Sequence, residues 1–236
     1  MSANLTKGDI GEASKGASGL SPAQMYLFIY NLGCAMGWYF VMFKMGSAFI
    51  DGGTIQEAVN AAHDVVAILQ LVSTLEILHS SIGLVKSSPV TTFMQVVGRD
   101  LALFFVVTAF PAVRVSSWVL MMFAAWTASE IIRYPFYALS VVGVCPRVLH
   151  WLRYTAFIVL YPLGFMGELG TWIVGLPHIR ALGLPMLPGL PRGSSVYALY
   201  CHLLFAFGYG APHLYIHMLR QRRKQVDGVR PKPKGS

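Results

Sequence analysis

The chain reads as an all-α, polytopic membrane protein with six transmembrane helices and both termini cytosolic. Three observations lead there. Hydrophobic residues make up 55% of the 236 and charged residues 12%, against ~25% charged in soluble domains, so too few charges remain for a water-exposed surface. The mean hydropathy is +0.57. Six stretches are each long and apolar enough to cross a hydrocarbon core, which takes ~20 helical residues.

The first stretch, 22–43, carries no charge at all. The second, 57–84, is weaker and holds Asp64, Gln70, Glu76 and His79. The third, fourth and fifth are 90–113, 116–139 and 147–174, and the sixth is 195–219. Pro177, Pro185, Pro188 and Pro191 mark the one long loop, between the fifth and sixth. Residues 1–21 form a flexible polar segment, 22–220 the six-helix unit and 221–236 a basic tail. The Gly/Ser-rich start has no apolar core, so it does not read as a cleavable signal peptide.

An even number of spans puts both ends on one side, and positive charge selects the cytosol. With that orientation Lys7, Lys15, Lys86, Arg147 and the basic run from Arg220 onward face the cytosol. Lys44, Arg114, Arg180 and Arg192 lie on the far side, and Arg99, Arg133 and Arg153 lie within helices. The net charge of +8 therefore reports topology rather than a nucleic-acid partner. Lys232 and Lys234 stand in a K-x-K-x-x pattern that resembles an endoplasmic-reticulum retrieval signal.

Cys34, Cys145 and Cys201 occur singly, with no C-x-x-C and no C-x5-R, so neither a thiolate zinc site nor a cysteine-phosphatase loop is encoded. His213 and His217 make one H-x3-H pair, and His63, His79, His150, His178 and His202 are singles. One pair cannot hold a di-iron centre. Glu76 and His79 mimic a ferritin-type ligand pair, but no second copy exists. No metal is expected.

Ionisable residues in a spanning helix cost roughly 2.5–3.5 kcal/mol each, so each needs a partner or a function. Glu76, His79, Gln95, Arg99, Asp100, Glu130, Arg133 and Arg153 all fall in the cytosolic halves of the second to fifth stretches. Glu76 and Arg99 lie about equally far from the Ser88–Pro89 turn, which predicts that they pair across an antiparallel hairpin. Two readings fit the cluster: a neutral structural network, or a vestibule made basic by Lys86 and Arg147 and suited to an anionic head group. Glu168 is different. It lies deep in the fifth stretch among apolar residues and glycines, a desolvated setting that suits a general acid or base. Tyr161 lies two helical turns earlier on the same face, followed on that stripe by Gly164, Thr171 and Gly175. A buried, hydrogen-bonded structural carboxyl is the rival reading.

Several motifs resemble one known family. They are Leu75-Glu-Ile-Leu-His79, Glu130-Ile-Ile-Arg-Tyr134, Leu152-Arg-Tyr154, Leu160-Tyr-Pro-Leu-Gly164 with Gly167-Glu168, and Met218-Leu-Arg-Gln-Arg-Arg-Lys224. Across roughly residues 25–224 the chain is similar to the very-long-chain (3R)-3-hydroxyacyl-CoA dehydratases, once called protein-tyrosine-phosphatase-like. The resemblance implies six membrane helices in the endoplasmic reticulum, the dehydration step of fatty-acid elongation, an acyl-CoA substrate and other elongation enzymes as partners. It implies Tyr161 and Glu168 as the active pair, with Arg99, Arg153 and Gly164 supporting the site; the polar cluster adds Glu76, His79, Glu130 and Arg133 as substrate-binding or site-supporting candidates. Pro135 departs from the family pattern and is expected to disturb the packing of the fourth stretch. The dehydration needs one acid and one base and no cofactor, coenzyme A being part of the substrate. Which of the two residues is the base stays open here. An inactive scaffold of the same fold and a small transporter are the alternatives.

Overall fold

The computed structural model describes residues 19–182 and 210–223. The N-terminal segment to residue 18, the loop beyond residue 182, the sixth stretch up to residue 209 and the tail beyond residue 223 lie outside the described residues. So do Cys201, His202, Lys232 and Lys234. Every described element is helical: α1 Pro22–Ile50, α2 Ile55–Ser73, α3 Leu75–Ser81, α4 Pro89–Ala102, α5 Ser117–Val141, α6 Arg147–Arg153, α7 Phe157–Leu182 and α8 Ala211–Arg222. A π-helical segment, Leu103–Thr108, and a 3-10 turn, Pro111–Val115, join α4 to α5.

Local chemistry sets the starts. Ser21 caps α1, its hydroxyl accepting from the Gln24 backbone while Gln24 bonds back to the Ser21 N–H, and Pro22 occupies the first helical position. Thr54 and Glu57 repeat the device at α2. α1 outruns its expected end at residue 43 because nothing breaks it before the Asp51–Gly53 turn. Lys44 lies along the helix with its ammonium 5.6 Å from the Phe40 ring centroid. The second stretch is not one helix. Ser73 and Thr74 hydroxyls bond back to the carbonyls of Gln70 and Leu71, at 2.8 and 2.6 Å, and the chain steps from α2 to α3 there. α7 continues past the expected 174, through Pro177 to Leu182, so the long loop starts later than the prolines suggest.

Four runs are long and apolar enough to cross a membrane: Pro22–Ile50, Ile55–Ser81, Pro89–Thr108 and Phe157–Leu182. α5 is as long, but Glu130 and Arg133 lower its hydropathy. α5 is the central helix, packed against α1 on one side and α7 on the other. Its Met122, Phe123 and Trp126 meet Trp38 and Val41 of α1 and Val106 of the π-helical segment in one buried core. Outward faces are apolar as well: Ile29, Met36, Phe43, Ile68 and Ile173 are exposed, the pattern of a surface solvated by lipid. Pro135 stays inside α5 without ending it. A proline there cannot donate to the carbonyl four residues back, and the Tyr39 hydroxyl of α1 donates to that Ile131 oxygen instead, at 3.4 Å.

Toward the end of α2 away from Glu76, the polar groups are shared between elements. The Arg114 guanidinium donates to Asn60, to the Val107 carbonyl and to His63 Nε2, which also bonds Thr108 at 2.9 Å. This ties α2 to both short segments preceding α5.

Close approach of α7 to α5 depends on Gly167. A Cβ there would stand 2.6 Å from the Met122 backbone nitrogen and 2.8 Å from its Cα. Backbone cannot yield as a side chain can, so Gly167→Ala should destabilise the protein by ~1–3 kcal/mol through overpacking. Thermal unfolding in detergent reads this, and an unshifted midpoint would mean the helices are further apart. Gly164, one turn earlier, is not tight: a Cβ would meet only Ala125 Cβ, at 3.6 Å. Of the small residues on this helix, Gly167 therefore serves packing, while Gly164 borders open space.

Candidate active site

That space is a cavity of about 330 Å³ between α4, α5, α6, α7 and α8. Tyr161 and Glu168 both line it, two turns apart on α7, with Gly164 between them. Arg99 of α4, Arg153 of α6 and Glu76, Glu130 and Arg133 also reach it. The structure thus gathers eight of the nine residues singled out from the sequence. His79 is the exception. It turns toward α1, its Nε2 2.7 Å from the Tyr26 hydroxyl and its ring edge-on to Tyr30 at 4.9 Å. Asp100, next to Arg99 in the chain, does not line the cavity.

One wall is an ion network. Arg133 holds Glu76 with two bonds, Nη1 to Oε2 at 2.7 Å and Nη2 to Oε1 at 2.9 Å. The Tyr134 hydroxyl donates to the same Oε1 at 2.7 Å. Glu130 accepts from Arg133 Nε and, on its other oxygen, from Arg99 Nη1. The expected Glu76–Arg99 pair is therefore not formed; α5 lies between them and supplies a partner to each. Equal distance from a turn fixes depth along a hairpin but not rotation about its axes, and the rotation directs both residues at α5. The two carboxylates and two guanidiniums balance, and Glu130 is 2% exposed, which a lone charge could not tolerate.

The other wall carries Glu168. The Trp126 indole N–H donates to its Oε1 at 2.8 Å, leaving Oε2 for the cavity. The Arg99 guanidinium stacks on the same indole, 4.5 Å from the ring centroid, with Trp38 behind it at 5.8 Å. Tyr161 is half-buried, its ring stacked on Tyr215 of α8 at 5.6 Å and 26°. The Arg153 Nη2 donates to the Tyr137 hydroxyl at 3.1 Å. Neither Trp126 nor Tyr134 was singled out from the sequence. The signal was available: both are four residues from Glu130, on the same face of one helix. Among the described residues no three His, Cys, Asp or Glu side chains converge as a metal site would require.

Fold and cavity together make this a helical membrane protein in which a carboxylate and a tyrosine face one space walled by a neutral ion network. A family model described as "Protein tyrosine phosphatase-like protein, PTPLA" matches residues 70–228. Very-long-chain (3R)-3-hydroxyacyl-CoA dehydratase 2 of Homo sapiens is 36% identical over 206 residues, covering 86% of this chain and 81% of that protein. The dehydratase hpo-8 of Caenorhabditis elegans is 34% identical over 209 residues, 87% of this chain and 96% of the relative. Dehydratase 1 of Canis lupus familiaris is 32% identical over 210 residues, 87% and 84%. No solved structure matches the chain significantly. The chain belongs to the protein-tyrosine-phosphatase-like (PTPLA) family.

Proposed function

We propose that this protein is a hydro-lyase that removes water from a (3R)-3-hydroxyacyl-CoA to give the trans-2-enoyl-CoA, as the names of its relatives describe for them. The observation that carries the reading to residues is the shared cavity: an acid–base pair and a ring of arginines border one space within apolar helices. The thioester acidifies C2, and the C3 hydroxyl must be protonated to leave. Glu168 takes the C2 proton, since a carboxylate acceptor suits the indole N–H on Oε1 and keeps Oε2 unobstructed. Tyr161 gives its proton to the departing hydroxyl. A proton returning from Glu168 to Tyr161 completes the cycle, so no cofactor or metal is required. Arg153, at the cytosolic rim, with Arg147 six residues before it on α6 and Lys86 in the turn between α3 and α4, provides positive charge for the coenzyme A phosphates. The acyl chain lies among the apolar helices. The phosphatase wording in the family description finds no support in the chain, which lacks C-x5-R.

The setting belongs to the same proposal: six spans, both termini cytosolic, residence in the endoplasmic reticulum and association with other fatty-acid elongation enzymes. Asn4 in Asn4-Leu-Thr6 is a glycosylation sequon that should stay bare when the chain is made in a eukaryotic host. A glycan on Asn4 would place the N-terminus in the lumen and refute the orientation. For the reaction, the purified protein should convert the 3R substrate and spare the 3S epimer, followed as enoyl-CoA formed. Equal use of both epimers, or of neither, would refute the assignment.

A further inference from the structure

We propose that Arg99 receives the thioester oxygen of the substrate as C2 loses its proton, acting as a catalytic residue rather than only a counter-charge in the ion network. This rests on the dehydratase reading above. Arg99 commits Nη1 to Glu130, but its Nε and Nη2 have no hydrogen-bond partner among the described residues, although both atoms are shielded from solvent. Those two nitrogens form the side edge of the guanidinium, two parallel donors suited to a single oxygen or a carboxylate. Charged donors left unpaired in such a place are costly, so an acceptor is expected there, and Arg99 lines the cavity through which one would enter.

The acceptor's identity follows from Trp126. One indole carries Arg99 on its face and donates from its edge to Glu168. The guanidinium and the base are thus both held against one indole. C1 and C2 of an acyl thioester are bonded neighbours, so the C1 oxygen and the C2 hydrogen need recipients that close together.

Glu168 takes the C2 proton; the C–H electron pair forms a C1–C2 double bond and the carbonyl pair moves onto oxygen. That oxyanion accepts from Arg99 Nε and Nη2. As the carbonyl reforms, the C2–C3 double bond forms and the C3–O bond breaks, the hydroxyl leaving as water with the proton of Tyr161.

A saturated acyl-CoA isolates the first half, because it has a C2 proton but no hydroxyl to lose. In D2O the purified wild-type protein should exchange that proton, and Glu168→Gln should not. Arg99→Lys keeps the charge beside Glu130 but loses the paired donors. It should lose ~10²–10³-fold in exchange and in dehydration kcat, the scale of a missing oxyanion donor, with KM within a few-fold of wild type. Exchange by Arg99→Lys within threefold of wild type overturns the proposal. Dehydration by wild type without any exchange also overturns it and leaves the dehydratase reading standing, whereas no dehydration removes the reading itself. Should Arg99→Lys not fold, the wild-type protein still decides. The carbonyl resonance of [1-¹³C]enoyl-CoA should move downfield on binding if donors polarise it, and an unmoved resonance overturns the proposal.

Discussion

Glu168→Gln is expected to lower turnover of the hydroxyacyl-CoA by at least ~10²–10⁴-fold, the usual contribution of one general acid–base group, while the protein remains folded. The change removes ionisation and keeps size, and Gln can still accept from the Trp126 indole through its amide oxygen, so α7 should remain packed on α5. Tyr161→Phe removes one hydroxyl and keeps the ring that stacks on Tyr215. It should lose turnover on the same scale. Because both groups serve one elimination, the double variant should be little worse than the worse single, as residues acting as a unit behave. Tyr154→Phe is the control: that ring packs edge-on to Phe136 at 6.0 Å and does not border the main cavity, so activity should persist. Thermal unfolding recorded on each variant separates lost chemistry from lost structure. Parallel loss of fold and turnover in Glu168→Gln would assign this carboxyl to packing.

The second large effect should come from Glu130. It holds Arg99 on one oxygen and Arg133 on the other, so Glu130→Gln leaves two guanidiniums facing the single carboxylate of Glu76. Removing one partner of a buried ion pair costs ~3–5 kcal/mol, because the remaining charge is uncompensated. Glu130→Gln should therefore lower the unfolding midpoint sharply. Arg133→Gln alone should do so too, and the double change should recover part of the loss by restoring one positive and one negative charge. Strict additivity of the two losses would show that they do not act as partners.

What the sequence reveals and what it hides divide along physical lines. Apolar length marks spans without any partner information, and four of them are legible that way. Tyr161 and Glu168 are legible because helical spacing alone puts them on one face. The break at Thr74 is not, since Ser and Thr hydroxyls bond back to carbonyls in some helices and not others, and neighbours decide. The π-helical turn at Leu103–Thr108 consists of ordinary apolar residues and carries no local signal. Arg133 rather than Arg99 faces Glu76 because the arrangement of helices around α5 chooses among partners of similar depth. His79, three residues from Glu76, is carried out of the site by the same rotation, to Tyr26 and Tyr30.

A (3R)-3-hydroxyacyl-CoA carrying deuterium at C2, supplied to the purified protein in detergent, tests whether this cavity abstracts a proton to expel water. The expected product is trans-2-enoyl-CoA that has lost one deuterium, formed more slowly than from the unlabelled substrate when proton removal limits the rate, and nearly absent with Glu168→Gln. Undiminished product from folded Glu168→Gln protein would contradict this expectation.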